Sequence, residues 1–309
     1  MEPKVDIAII GECLIELSAN GTLADTSTLN KYFGGDTVTT AVAIARLGGK
    51  VTYLTKVGND GFSEFIISSL QKENIDTSLI KTNDEQNGMY IISKTADKKE
   101  LLYYKRKTAA TKLSIEDINV DCIKKLKLIY STGVVQSLSA SSRELVREAF
   151  KTAKENDILT AYDPNYTSCF MNSTDTKEYF EEIVDYTDII FLSLKNDAER
   201  LYDIGSTDKI MKYFWDKGVK IVVIKSHIDN GYYTGYKGDI SFTEFYNSTK
   251  AIDTTASGDV FNGGFLYALT NGYAPSDATK FASVVSGLQT QNYGAIQSIP
   301  YLDNVMENI

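Results

Sequence analysis

Residues 251–269 read AIDTTASGDVFNGGFLYAL, and this stretch decides how the fold is interpreted. It passes from a turn of small residues into a helix of small and apolar residues, and it places Asp259 where that helix begins. Small residues leave backbone N–H groups accessible and a helix N-terminus adds partial positive charge, so the stretch predicts an anion site. Asp259 then has two interpretations: a base for a hydroxyl that attacks phosphorus, or a helix cap. No Walker GxxxxGK[ST] sequence is present, which excludes a P-loop protein.

Composition limits the classes of function. The chain has 309 residues, of which 43% are apolar, and a net charge of −9. Its Lys and Arg residues are scattered, which argues against nucleic-acid binding. We expect no membrane span, because no apolar run reaches about 18 residues.

Cys13, Cys122 and Cys169 lack zinc-site spacing and indicate reduced thiols in a cytoplasmic protein. A single histidine, His227, and the lack of a GxSxG sequence argue against a Ser-His-Asp hydrolase.

Short apolar runs alternate with amphipathic helical patterns along most of the chain. Buried strands are predicted in VDIAIIGE, KVTYLTKVG, LIYSTGVV, ILTAYDP, DIIFLSL and KIVVIKS. The first helix is predicted in DTVTTAVAIARLGG, with Asp36 or Thr37 as N-cap and Gly48 as its end. This alternation predicts an α/β fold with a mostly parallel sheet covered on both faces. Ligands of such sheets bind at the carboxyl ends of the strands.

Two polar–apolar alternating segments interrupt this pattern, SANGTLADTSTLNKYF and GMYIISKTADKKELLYYKRK. They predict a small antiparallel β lid, inserted at about residues 12–35 and 88–108 of a single domain covering 1–309. Because such a ribbon is marginally stable alone, we expect a homo-oligomer that pairs its lids.

Two motifs carry a resemblance to a known family. DTTASGD at 253–259 resembles the DTxGAGD signature of the ribokinase-like (PfkB) carbohydrate kinases, and FGGDTVTTAVAIARLGG at 33–49 resembles their glycine-rich sugar-binding segment. Within that family, IIGECLIELS, ENIDTSL and LYYKRKTAA are most similar to 2-keto-3-deoxygluconate kinases. The resemblance implies a three-layer α/β/α core and ATP-dependent phosphorylation of the C6 hydroxyl of a keto-deoxy sugar acid. It also implies Asp259 as general base, with an anion hole formed by the amides of Ala256, Ser257 and Gly258.

The resemblance also implies a set of sugar-binding residues, which are Gly34, Gly35, Asp36, Thr37, Thr39, Tyr90, Tyr103, Thr167 and Asp259. For the two tyrosines, packing within the lid or a dimer contact is the alternative. Thr39 stands where the family has Asn, and Thr167 stands where keto-deoxygluconate kinases have an Arg that meets the substrate. Loss of that Arg removes a bidentate partner for a carboxylate.

The segment YYKRK on the lid offers other cations. In an alternating strand Lys105 shares a face with Tyr103, whereas Arg106 points the other way. We hypothesise that carboxylate binding has shifted to Lys105, with Arg106 as second candidate. The alternative is a solvated charge on the lid.

For the nucleotide, the resemblance suggests ATP-binding residues, which are Asn165, Ser193, Lys225, Asp229, Gly231, Gly258 and Asn292. Asn196 and Glu199 match an NxxE segment that helps to hold Mg²⁺, although they also fit the start of an ordinary amphipathic helix. The metal would be bound largely by phosphates and water. The family also leaves open a monovalent cation near Asp253.

Two other functions stay open at this point. A kinase of a neutral sugar such as fructose or ribose would share the fold, and the loss of Arg at Thr167 favours it. A sensor that binds sugar and nucleotide without turnover is permitted by Thr39 and Thr167. Retention of Asp259 argues against the sensor, because a sensor needs no base there.

Overall fold

The structure, a computed structural model, describes residues 5–94 and 99–309. Its strands are, in chain order, β1 (Ile7–Ile10), β2 (Leu14–Asn20), β3 (Asn30–Gly34), β4 (Val51–Val57), β5 (Ile80–Thr82), β6 (Met89–Lys94), β7 (Lys99–Tyr104), β8 (Leu128–Thr132), β9 (Leu159–Asp163), β10 (Ile189–Ser193), β11 (Ile221–Ser226), β12 (Gly231–Tyr236) and β13 (Asp239–Glu244). Its helices are α1 (Asp36–Arg46), α2 (Ser63–Lys72), α3 (Val120–Ile123), α4 (Gly133–Gln136), α5 (Ala140–Glu155), α6 (Ser173–Glu181), α7 (Arg200–Tyr202), α8 (Thr207–Asp216), α9 (Ser257–Thr270), α10 (Pro275–Gln289) and α11 (Leu302–Met306).

A large sheet in the order β13-β12-β11-β10-β9-β8-β1-β4-β5 forms the centre of the core. Strands β1, β4, β5 and β8 to β11 pair in parallel, and β12 and β13 add an antiparallel edge. In β1, Ile7 and Ile9 pack on one side with α1, α9 and α10, whereas Ala8 and Ile10 pack on the other with α5, α6 and α8. Burial on both faces confirms the predicted three-layer α/β/α core.

The first core helix begins differently from the prediction. Its N-cap is Gly35, at φ 134°, and no side chain caps it. Asp36 is the first helical residue, and its carboxylate accepts a hydrogen bond from Thr132 at 2.7 Å. A Cβ at Gly35 would lie 2.8 Å from the Glu12 carbonyl oxygen, so both the backbone angle and the close approach require glycine.

Strands β2, β3, β6 and β7 form the second sheet, in the order β3-β2-β6-β7, and are called the lid below. They confirm the predicted small sheet, but β2 and β6 pair in parallel, so the sheet is not wholly antiparallel. Parallel pairing follows from the connection: α1, β4 and α2 lie between the two strands in the chain and return it to the same end.

Within the described residues, no helix is both long enough and apolar enough to cross a membrane.

Candidate active site

A cavity of about 560 Å³ lies between the lid and the carboxyl ends of the core strands. The core contributes Asp36, Asn165 and Asp259 to its lining, and the lid contributes Tyr90, Tyr103 and Lys105. The parallel strands and the N-termini of α1 and α9 bring these residues together although they lie far apart in the chain. The cavity therefore stands where an open α/β sheet binds its ligands.

Two carboxylates share one amide group in the core wall of the cavity. Asn165 Nδ2 lies 3.2 Å from Asp259 Oδ1 and 3.4 Å from Asp36 Oδ2. Burial raises the pKa of Asp259 well above its usual value, and the nearby Asp36 raises it further, whereas Lys225 opposes the shift. Burial likewise raises the pKa of Asp36. Asn165 had been assigned to ATP from the resemblance, whereas its side chain lies between these two carboxylates.

The turn before Asp259 contains a residue in the left-handed backbone conformation, directly before α9 begins. Ala256 is the N-cap of α9 and has φ 61°, in the left-handed region. The Ser257 amide donates to Thr254 O at 3.2 Å, and the Asp259 amide donates to Ala256 O at 3.0 Å. Of the three predicted anion-hole amides, that of Ser257 is therefore already engaged within the turn. Thr40 Oγ1 donates to the Asp259 carbonyl at 3.0 Å and ties α1 to α9.

A buried cation stands next to this helix start. Lys225 Nζ lies 2.7 Å from Asp163 Oδ2, and a Cβ at Gly258 would lie 3.4 Å from Nζ. Burial lowers the pKa of Lys225, but Asp163, Asp259 and Asp197 together raise it by more, so the net pKa is raised and the lysine is charged. Asn262 completes the group by donating to Asp163 Oδ2 at 2.7 Å. Sequence reasoning assigned no role to Asp163 or Asn262, although the end of β9 was a signal for Asp163.

The lid side of the cavity is aromatic. The rings of Tyr90 and Tyr103 lie 5.9 Å apart, and Tyr103 meets Phe170 of the core edge-on at 5.1 Å. The Tyr90 hydroxyl donates a hydrogen bond to the Glu16 carboxylate and lies close to the backbone of Gly34. Burial raises the pKa of Tyr103 to about 12. Both predicted tyrosines therefore reach the cavity.

The predicted threonines are placed differently from one another. Thr39 and Thr167 line the cavity, and Thr39 Oγ1 donates to Gly35 O at 2.7 Å. The Thr37 hydroxyl instead pairs with the buried Tyr53 hydroxyl at 2.8 Å, so it is directed into the core.

Among the lid side chains that the structure describes, Lys105 is the cation in the cavity lining. Its Nζ lies 2.7 Å from Glu12 Oε2 and 4.4 Å from the centre of the Phe170 ring. Arg106 is exposed and is not part of the lining. Sequence reasoning marks Glu12 as a residue at the end of a strand but assigns it no role.

Apart from Asn165, the predicted nucleotide residues lie outside the lining of this cavity. Ser193 ends β10, Lys225 lies near the end of β11, and Gly231 begins β12. The Asp229 carboxylate accepts a hydrogen bond from Ser226 Oγ at 2.6 Å. Asn292 is exposed in the loop after α10.

The predicted metal residues, Asn196 and Glu199, are exposed on a π-helical segment, Leu194–Glu199. That segment turns Asp197 inward, where its carboxylate accepts from the amides of Ser193 and Tyr166 at 2.6 and 3.0 Å. Burial, followed by the charge of Asp163, raises the pKa of Asp197 to about 7. Among residues 5–94 and 99–309, no three His, Cys, Asp or Glu side chains form a cluster that could hold a metal ion.

Asp253, which begins the signature, anchors two loops. Its Oδ1 accepts from the Thr255 amide at 3.0 Å, and its Oδ2 accepts from the Gly294 amide at 3.2 Å.

Fold and cavity are those of an α/β protein with a small-molecule site at the edge of its sheet, and comparison with known proteins gives the family. The profile of the pfkB family carbohydrate kinase matches residues 4–302, and the chain belongs to that family. It is 33% identical to a 2-dehydro-3-deoxygluconokinase of Dickeya dadantii, covering 94% of this chain and 96% of that protein. It is 29% identical to a 5-dehydro-2-deoxygluconokinase of Clostridium beijerinckii, covering 98% and 92%. An uncharacterized sugar kinase of Pyrococcus horikoshii, solved in complex with ATP, is 28% identical with a TM-score of 0.80 and 97% coverage of each chain.

Proposed function

We propose that this carbohydrate kinase transfers a phosphoryl group from ATP to a hydroxyl of a small sugar-type substrate, with Asp259 as general base. The observation that carries the proposal is the position of Asp259, in the cavity wall at the N-terminus of α9. Its raised pKa brings the carboxylate closer to the basicity that deprotonation of a hydroxyl at neutral pH requires. As the proton moves to Asp259, the hydroxyl oxygen bonds phosphorus and the bond to ADP breaks.

The residues around Asp259 fit a polyphosphate. ATP, when bound, supplies the phosphoryl group, and Mg²⁺ neutralises its charge. Lys225 beside Gly258 places a cation next to the amides at the start of α9, which is the arrangement that holds phosphate oxygens. Ser193, Asp229, Gly231 and Asn292 would then surround the rest of the nucleotide. The metal would be held mainly by phosphate and water, with help from Asn196 and Glu199.

For the sugar, we propose a keto-deoxy sugar acid, 2-keto-3-deoxygluconate, phosphorylated to its 6-phosphate. One observation supports it: relatives about 30% identical carry the names of sugar-acid kinases. Lys105, beside Tyr103 in the cavity lining, is the cation proposed for the carboxylate, and its pairing with Glu12 opposes that role. In this arrangement Asp36 and Thr39 hold hydroxyls, and Tyr90 and Tyr103 cover the sugar. Arg106 is too exposed to serve as the main carboxylate partner.

A neutral sugar is the second candidate, and the surroundings of Lys105 favour it. Glu12 already neutralises this lysine, and Thr167 lines the cavity where keto-deoxygluconate kinases have an arginine. ADP release measured with keto-deoxygluconate, fructose and ribose separates the two candidates. Turnover of fructose without turnover of the sugar acid would reject the sugar-acid proposal.

Replacing the proposed base tests the chemistry itself. In Asp259→Asn the proton acceptor is lost but the shape is kept, so kcat should fall on the order of 10² to 10⁴-fold. Equilibrium binding of ATP should stay within a few-fold. The control is Asp277→Asn, which removes an exposed carboxylate that pairs with Lys280 at 2.9 Å. A sensor is indicated if the parent protein releases no ADP on any of the three sugars, and a D259N variant with full kcat would exclude Asp259 as the base.

Two further features belong to the same proposal. We propose that the protein is a cytoplasmic homo-oligomer that associates through the lid, since β7 is an edge strand with exposed leucine and tyrosine side chains. We also propose a monovalent cation near Asp253, where the carboxylate joins the loop before α9 to the loop after α10.

A further inference from the structure

The Glu12–Lys105 pair lies at the lid end of the cavity and has one unused acceptor. The two side chains are 3% and 10% exposed, and Lys105 Nζ lies 2.7 Å from Glu12 Oε2. The other oxygen, Glu12 Oε1, is buried and has no hydrogen-bond partner among the described residues. Both residues line the cavity. A buried acceptor without a donor costs free energy, and a ligand that brings a donor recovers it.

The charges of this pair discriminate between ligand groups. A hydroxyl accepts one hydrogen bond and donates another, so it can accept from Lys105 and donate to Glu12 at the same time. A substrate carboxylate can only accept. To reach Lys105 it must also approach Glu12, and two like charges in a poorly solvated site repel each other strongly.

The rest of the cavity adds to this effect. Glu16, Asp36 and Asp259 also line it. Glu12 therefore turns Lys105 from a carboxylate site into a donor–acceptor pair that suits a hydroxyl.

We propose that Glu12 is a specificity-determining residue that binds a substrate hydroxyl and disfavours a carboxylate at Lys105. The proposal rests on the proposed sugar-kinase function and names the group that selects within it. It holds whichever sugar the wild-type protein prefers, because it concerns the change in preference that Glu12 causes.

The test is Glu12→Gln, which keeps the shape and removes the charge. The measured quantity is kcat/KM for 2-keto-3-deoxygluconate divided by kcat/KM for fructose. We expect this ratio to rise about tenfold or more in E12Q, because Lys105 becomes free to pair with the acid. A change of less than twofold would overturn the proposal.

Two comparisons separate selectivity from a structural effect. Glu144→Gln is the matched control, since Glu144 is an ion-paired but exposed glutamate that lies 2.7 Å from Arg147. Its ratio should equal that of the wild type. In a Lys105→Met background the same E12Q change should no longer raise the ratio, because the cation that it frees is gone. A rise that persists without Lys105 would refute the mechanism.

Lys105→Met alone tests the proposal, should E12Q fold poorly. With Glu12 in place, Lys105 meets a hydroxyl of either substrate, so K105M should lower kcat/KM for fructose and for keto-deoxygluconate by similar factors. A loss confined to the sugar acid would contradict the proposal, because Lys105 would then bind the carboxylate in spite of Glu12. The wild-type sugar preference alone judges the proposed function, so the two ideas can fail separately.

Discussion

The raised pKa of Asp259, the proposed base, should make the activity depend on pH in a defined direction. A base works only when it is deprotonated, so kcat should fall as the pH falls through the raised pKa of this carboxyl. Asp36 raises that pKa through its like charge. Asp36→Asn removes the charge and should shift the acidic limb of the kcat profile to lower pH, which a series of kcat measurements across pH will show.

The result to compare is the pH at which kcat falls on the acidic side, not the maximal value of kcat. Asp36 also lines the cavity, so the variant will change KM and the maximal rate as well. Asp277→Asn again serves as control and should leave the limb where it is. A limb that stays in place or moves to higher pH in D36N would show that Asp36 does not act on the base through its charge.

At the residue scale, a side chain could be predicted where a local pattern marks it. Asp259 stands in a motif, and Lys105 stands two residues from Tyr103 on one strand face. The ends of two strands mark Glu12 and Asp163, but their roles could not be predicted because these depend on partners far along the chain. Glu12 needs Lys105, and Asp163 needs Lys225, and only the folded sheet edge brings each pair to 2.7 Å.

At the scale of elements, the start of α9 stores conformational strain. Ala256 has φ 61°, where an L-residue pays roughly 1–2 kcal/mol that glycine avoids. Ala256→Gly should therefore raise the free energy of unfolding by about 0.5–1 kcal/mol, after the greater flexibility of glycine in the unfolded chain is subtracted. Chemical denaturation measures the change.

Ala251→Gly is the matched control for this substitution. Ala251 has φ −64°, which suits alanine, so glycine brings only its entropy cost. That variant should be less stable by up to about 1 kcal/mol. Equal losses in both variants would mean that the left-handed angle at Ala256 carries no strain.

Strands and helices with a strong hydrophobic periodicity could be predicted from the sequence. Their caps and the direction of their neighbours were harder to predict. The buried strands and the amphipathic helices follow from short apolar runs and helical spacing. The N-cap of α1 was wrong because Thr132, on β8, offers the Asp36 carboxylate a donor that no local pattern reveals. The parallel pairing of β2 with β6 was missed because alternation shows which face of a strand is polar but not the direction of its neighbour.

At the scale of the whole molecule, the lid is the surface where we expect two copies to meet. Leu102 on the edge strand β7 is 43% exposed and lies outside the cavity lining. Leu102→Lys puts a charge on this apolar surface and should shift the protein toward monomers, as light scattering coupled to gel filtration will show.

Ile240→Lys is the control for that experiment. Ile240 is 41% exposed on β13, which is an edge strand of the large core sheet and not part of the lid. Its mass should match that of the wild type. A wild-type protein that is monomeric at micromolar concentration would contradict association through the lid.

The parallel pairing of β2 with β6 also affects the growing chain on the ribosome. Strand β6 is synthesised about 70 residues after β2, which at roughly 5–20 residues per second is a wait on the order of 3–14 s. During that time β2 and β3 form at most an isolated hairpin, which is marginally stable in water and has an open edge. The lid wall of the cavity is thus completed late, and until then this hairpin is exposed to pairing with neighbouring nascent chains.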